Sequence, residues 1–157
     1  MIVLDTNVIS ETMKPAPDPV VLDWINRQAE DALFITAITI AEISAGIHKM
    51  DAGKRRDDLD RRLQDMVQMF KGRTLTFDLG AALLFGRVIG DARRNGLAIS
   101  FQDGLIAATA TWRKCAVASR DVGPFEAAGL EVINPWTADP ESDDTPNTPN
   151  QDEDNDT

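Results

Sequence analysis

The chain has a single cysteine, Cys115, and a single histidine, His48, in 157 residues. One cysteine excludes an internal disulfide and any cysteine-rich zinc site, and it suits a reducing compartment. No stretch approaches the ~18 apolar residues of a membrane span. The opening residues also lack the basic start and apolar run of a secretory signal. A soluble, cytoplasmic protein without membrane contact is expected. Lys and Arg are missing altogether from residues 137–157, which hold eight acids among prolines, asparagines and threonines. Such a composition cannot bury enough apolar surface to offset its ordering entropy. The expectation is one folded domain over residues 1–136 and an acidic, disordered tail over residues 137–157. Taking the eight tail acids from the net charge of −10 leaves that domain near −2, so a nucleic-acid partner is not excluded.

The residues that remain alternate between short apolar runs and helical patterns. Met1-Ile2-Val3-Leu4 ends abruptly in Asp5-Thr6-Asn7, which reads as a buried strand delivering a carboxylate to its end. Thr6–Met13 suits a short helix that stops before the proline-rich stretch from Lys14 to Pro19. Asp18 then stands where an N-cap belongs and Pro19 at the first helical position. Leu33–Thr36 reads as a strand, Thr39–Met50 and residues 53–69 as helices, and Thr74–Phe77 as a strand. Leu79–Asn95 is a long helix closed by Gly96, followed by an alanine-rich helix over Ser100–Arg113. Ala116–Ala118 and Leu130–Ile133 supply the last strands. Strands separated by helices predict an α/β domain, a mostly parallel sheet of about five strands with helices on both faces.

Four acids fall at the ends of these elements: Asp5, Glu42, Asp103 and Asp121. Each has a local explanation. Asp5 can cap the first helix, Thr39-x-x-Glu42 and Ser100-x-x-Asp103 match capping boxes, and Asp121 can cap a short turn of helix near Pro124. Strand C-termini and helix N-termini of a parallel sheet nonetheless open onto one edge, where ligands of such sheets sit. Carboxylates gathered there repel one another unless a cation neutralises them. Oxygen ligands without His or Cys suit a hard cation, Mg²⁺ or, in its place, Mn²⁺.

In order and spacing, Leu4-Asp5-Thr6-Asn7-Val8-Ile9-Ser10-Glu11, Thr39-Ile40-Ala41-Glu42-Ile43, Asp103 through Ala110, and Ala118-Ser119-Arg120-Asp121 resemble the PIN-domain ribonucleases. Within that group the chain is similar to the VapC-type toxins of bacterial toxin–antitoxin pairs. The resemblance covers residues 1–136. It implies metal-binding acids at Asp5, Glu42, Asp103 and Asp121, with Asp5 and Asp103 as direct ligands and Glu42 and Asp121 ligating directly or through water. Thr6, Asn7 and Ser119 would support them. It further implies Mg²⁺-dependent endoribonuclease activity, a homodimer, and inhibition by a cognate antitoxin that alone tethers the assembly to operator DNA.

RNA affinity needs cations. Residues 49–73 carry eight of the sixteen Lys and Arg together with five acids. The window is read as a solvated helix face, or, through Lys54, Arg55, Arg56 and Arg61, as an RNA groove. His48 is expected at the surface or in packing, and Cys115 as a small apolar residue. Two further function classes compete: a non-catalytic, toxin-like partner acting in antitoxin-mediated transcriptional control, and another metal-dependent phosphate enzyme. No Asp-x-Asp follows the first strand, which disfavours acyl-phosphate chemistry.

Overall fold

Strict alternation along very short strands sets the layout of the molecule. A computed structural model describes residues 1–138. Strands β1 (Ile2–Leu4), β2 (Leu33–Thr36), β3 (Thr74–Leu75), β4 (Ala116–Ala118) and β5 (Val132–Ile133) form one parallel sheet in the order β3-β2-β1-β4-β5. Successive side chains point to opposite faces. Ile2, Leu4, Leu33, Ile35 and Ala118 therefore enter one core, and Val3 and Val117 enter the other.

Helices α1 (Thr6–Thr12), α2 (Pro19–Arg27), α3 (Ala37–His48) and α4 (Lys54–Met69) cover the first face. Trp24, Ile43, Leu63 and Phe70 fill the layer beneath them. Helices α5 (Leu79–Arg94), α6 (Phe101–Arg113) and α7 (Gly123–Ala127) cover the second, with Val88, Ile106, Ala107 and Phe125 inside. Burying both faces explains why the central strands β1 and β4 are apolar throughout. The expected α/β domain with a five-stranded parallel sheet is the architecture found.

Several boundaries differ from the sequence reading. Helix α3 begins at Ala37, because Thr36 is its cap: the Thr39 N–H donates to the Thr36 hydroxyl at 3.0 Å. The expected box starting at Thr39 is thus displaced by one turn. The third and fifth strands shrink to two residues each, since pairing at the two sheet edges comes from one side only. Asp18 caps α2 as expected, its carboxylate accepting from the Val20 N–H at 2.9 Å. Thr137 and Ala138 continue the described chain, and Ala138 packs against the first core. The rest of the expected tail, residues 139–157, lies outside the described residues.

Strand β1 has β2 on one side and β4 on the other. The strand order changes direction between β1 and β4, and the crevice beyond their carboxyl ends is where such sheets bind ligands.

Candidate functional site

Asp5 and Ser119 are the first residues past β1 and β4, so the switch point brings them together. Asp5 is 5% exposed and Ser119 fully buried. One Asp5 oxygen, Oδ1, accepts the Thr6 N–H at 2.7 Å and caps α1. The other, Oδ2, accepts the Ser119 hydroxyl and the Asn7 Nδ2 amide, each at 2.8 Å. Asn7 Nδ2 also reaches Ser119 Oγ at 3.0 Å, and Asn7 Oδ1 accepts the Arg120 N–H at 3.1 Å. The capping explanation for Asp5 is therefore correct and incomplete: one oxygen caps, and the second is clamped by Asn7 and by Ser119, far away in sequence.

Burial is the main reason that the Asp5 carboxyl is pushed from its ordinary 3.8 up to about 6, against the lowering pull of the Ser119 and Thr6 donors. The negative charges of Asp103 and Glu42 add to the rise. Glu42 sits one turn inside α3, too deep to cap it, and accepts the Thr6 hydroxyl at 2.5 Å. Asp103 occupies the third position of α6 and makes half of the expected box: Ser100 Oγ accepts the Asp103 N–H at 3.0 Å, while Asp103 Oδ2 accepts the Ser100 hydroxyl at 2.7 Å where the box would use the Ser100 N–H. Asp121 does not cap α7, whose cap residue is Val122 without a side-chain bond. Its N–H donates to Ser119 Oγ at 3.1 Å, and the residue is exposed at the rim.

Glu42 and Asp103 thus stand within electrostatic reach of the clamped Asp5, and Asp121 lies exposed two residues beyond Ser119. Among the described residues, no three His, Cys, Asp or Glu side chains stand close enough to form a ready metal cage. The donor chemistry nonetheless fits a hard divalent cation. A buried carboxylate with two acidic neighbours gains most from a positive charge, and every donor offered is oxygen.

A groove of about 740 Å³ runs from Thr6 and Glu42 between α1, α3 and α4. Of the four expected RNA-binding residues, Lys54 and Arg55 line it, whereas Arg56 and Arg61 do not. Arg61 instead pairs with Asp58, itself a residue of the groove lining. Lys14 and Arg62 also line the groove. Sequence reasoning misses Lys14 because it precedes a proline loop far from the charged helix. It misses Arg120 as well, whose guanidinium lies 5.3 Å from the Trp136 ring centre, next to Asp121 in the chain. His48 is exposed and bonded to the Ser44 carbonyl of its own helix, a surface role.

A doubly covered parallel sheet with carboxylates gathered at its switch point is the class that this fold and site define. The model of the PIN domain matches residues 2–130, and the chain belongs to that family. It is 48% identical to the plasmid stability protein StbB of Pseudomonas syringae pv. tomato, over 88% of this chain and all of that one. It is likewise 48% identical to VapC ribonuclease Y4jK of Sinorhizobium fredii, over 87% of this chain and 98% of that one. Among solved structures, FitAcB from Neisseria gonorrhoeae superposes with a TM-score of 0.83 at 40% identity, covering 88% of this chain and all of its counterpart. FitAB bound to an IR36 DNA fragment superposes with a TM-score of 0.83 at 38% identity, covering 88% and 98%. The expected family and fold are those found.

Proposed function

We propose that this chain is the toxin of a toxin–antitoxin pair, an Mg²⁺-dependent endoribonuclease restrained by a cognate antitoxin, with residues 1–136 as its nuclease domain. The observation that carries the proposal is Asp5: a buried carboxylate, clamped by Ser119 and Asn7 and flanked by Glu42 and Asp103, in a chain 48% identical to a VapC ribonuclease. Asp5 and Asp103 would hold Mg²⁺, or Mn²⁺ in its place, with Glu42 and Asp121 contributing directly or through water. When bound, such a cation supplies Lewis-acid polarisation of a phosphate oxygen and an activated water.

The protein's own groups do the rest. Ser119 and Asn7 fix the direction of the Asp5 lone pairs, and Thr6 fixes Glu42, so the acids need not reorganise when charge develops. Glu42 and Asp121 are the groups available to take a proton from a water near the phosphate. Lys14, Lys54, Arg55 and Arg62 outnumber Glu42 and Asp58 in the groove lining, an excess of positive charge that attracts an RNA backbone regardless of sequence. Among the described residues no helix is long and apolar enough to cross a membrane, and the proposal places the protein in the cytoplasm. It also includes a homodimer, an antitoxin partner, and contact with operator DNA only through that antitoxin.

Incubating purified, antitoxin-free protein with cellular RNA tests the proposal. Fragments bearing 5′-phosphates should form with Mg²⁺ and not with EDTA. Intact RNA under both conditions would favour the non-catalytic partner in transcriptional control, and cleavage under both would remove the metal from the mechanism.

A further inference from the structure

Charge is divided between two parts of this chain that carry opposite signs. Residues 139–157 hold eight acids, no Lys or Arg, and no apolar residue except proline. The groove between α1, α3 and α4 has the other sign: Lys14, Lys54, Arg55 and Arg62 outnumber Glu42 and Asp58, and Asp58 is already paired with Arg61. Lys54 and Arg55 are exposed and make no ion pair or side-chain hydrogen bond among the described residues. They open the first turn of α4, where Gly53 supplies no side-chain cap and Asp57 is the one acid. The unmet amides of that turn add the positive end of the helix dipole.

We infer that residues 139–157 dock on the cationic rim of this groove and exclude RNA from it, as an acidic substitute for the RNA backbone. Exclusion of RNA rests on the reading proposed above; docking of the tail does not.

The place where the chain leaves the fold favours this occupant. Ala138 packs against the core beneath α1 to α4, the face on which the groove opens, whereas Arg93 and Arg94 end α5 over the other face. Trp136 lies against the Arg120 guanidinium, the charge of Arg120 acts on Glu11, and Glu11 bonds Lys14 of the groove at 2.6 Å. The exit is therefore beside α1, which forms one wall of the groove. From there, the nineteen residues 139–157 reach about 60 Å when extended, at about 3.3 Å each. A folded domain of this size is only about 35 Å across.

The match to the plasmid stability protein takes in all of that protein and 88% of this chain, and residues 139–157 equal in length the remaining 12%. A relative completes the fold without a segment of that size. Attachment in the same chain sets the strength of docking. A short tether presents the tail at an effective concentration on the order of millimolar, where exposed ion pairs that are weak singly suffice together. With only proline to meet the apolar lining at Ile43, Ile47 and Leu59, the tail is held by charge and should leave as salt rises.

Two measurements on the full chain test this, and neither needs cleavage. A carbodiimide, which joins carboxylates to lysine amines in contact, is applied at low ionic strength, where the Debye length is about 20 Å, and the products are mapped by mass spectrometry. Residues 139–157 should be joined to Lys14 and Lys54 within single chains, and the joins should be lost at about 1 M salt, where that length is about 3 Å. Joins spread equally to Lys71 and Lys114, which lie outside the groove, overturn the inference, as do joins formed only between chains or none at Lys14 and Lys54. Anisotropy of a labelled single-stranded RNA is then read in EDTA, for wild type and for a chain with every tail acid changed to its amide, Asp→Asn and Glu→Gln. The amide tail should tighten RNA binding about tenfold at low salt, and under about threefold when Lys54→Ala and Arg55→Ala are also present. No gain, or a gain of equal size without those two cations, reports at most diffuse repulsion and overturns the inference. Mg²⁺-dependent cleavage by the same samples is scored separately, so a chain that docks its tail, binds RNA and cuts nothing contradicts the nuclease proposal alone.

Discussion

The Ser119 hydroxyl donates to Asp5 Oδ2 at 2.8 Å across 114 positions of sequence, and both groups are buried at the switch point of the sheet. This bond ties β4 to β1 and fixes the lone pairs of the acid at the base of the site.

Ser119→Ala removes that donor together with the acceptor used by Asn7 Nδ2 and the Asp121 N–H. Loss of such supporting partners costs about 10- to 100-fold in metal affinity or activity. The expected result is a drop of that size in RNA cleavage and in Mg²⁺ affinity by calorimetry, with the fold retained by circular dichroism. Unchanged activity would mean that the clamp is only structural.

The raised Asp5 carboxyl makes the stability of the metal-free protein fall as pH rises. Its folded value of about 6 exceeds the ordinary 3.8. The folded state therefore binds the extra proton, and this contribution is fully present below about 3.8 and lost as pH rises through about 6. Thermal melts in EDTA between about pH 4 and pH 7 should show this decline, and Asp5→Asn should flatten it. A decline equally steep in the variant assigns it to another group.

Glu11 acts in the opposite direction. It accepts the Asp18 N–H at 2.9 Å and the Lys14 ammonium at 2.6 Å, joining the end of α1 to the start of α2. The Lys14 bond, then that from Asp18, holds its carboxyl below the ordinary 4.5. Its contribution is present above about 4.5 and is lost as pH falls through the lower folded value. Glu11→Ala should destabilise by about 1–3 kcal/mol in urea titration at neutral pH, because the Asp18 N–H is left without its acceptor. A variant as stable as wild type would show that water replaces the carboxylate at no cost.

Gly104 follows Asp103 and permits close approach of α5 to α6: a Cβ there would lie 2.6 Å from Ile89 Cδ1 and 3.1 Å from Phe85. Gly104→Ala should cost about 1–3 kcal/mol by overpacking, measured by denaturant midpoint. A neutral result would show that the two helices part without penalty.

Lys54 and Arg55 line the groove, and Arg61 does not. Replacing the first two with alanine should reduce the salt dependence of RNA binding by about one unit of slope for each phosphate no longer neutralised. Arg61→Ala should leave it unchanged. Equal effects from both variants would point to a diffuse field in place of a groove.

Much of the fold is legible in the chain because each strand is a short apolar run and each long helix carries a stop or cap signal, as Asp18-Pro19 and Gly96 show. The start of α3 is not, because Thr36 and Thr39 are both suitable caps, and only packing of Thr36 into the core decides between them. The acids are legible as candidates by position. Their unequal depth is not, since exposure of Asp121 and burial of Asp5 depend on how far each strand extends beneath its neighbours. The groove wall is half legible: Lys54 and Arg55 announce themselves in a basic run, whereas Lys14 reaches the same wall from a loop that only the folded chain brings near.

The central claim is that Asp5 anchors a metal-dependent ribonuclease site, and one paired measurement tests it most directly. Wild type and Asp5→Asn, both antitoxin-free and both shown to be folded, are incubated with one single-stranded RNA over a titration of Mg²⁺. The expected result is cleavage by wild type that rises with Mg²⁺ and is abolished by EDTA, and a loss of at least about 100-fold in the variant at every Mg²⁺ concentration. Cleavage by Asp5→Asn at the wild-type rate would contradict the claim.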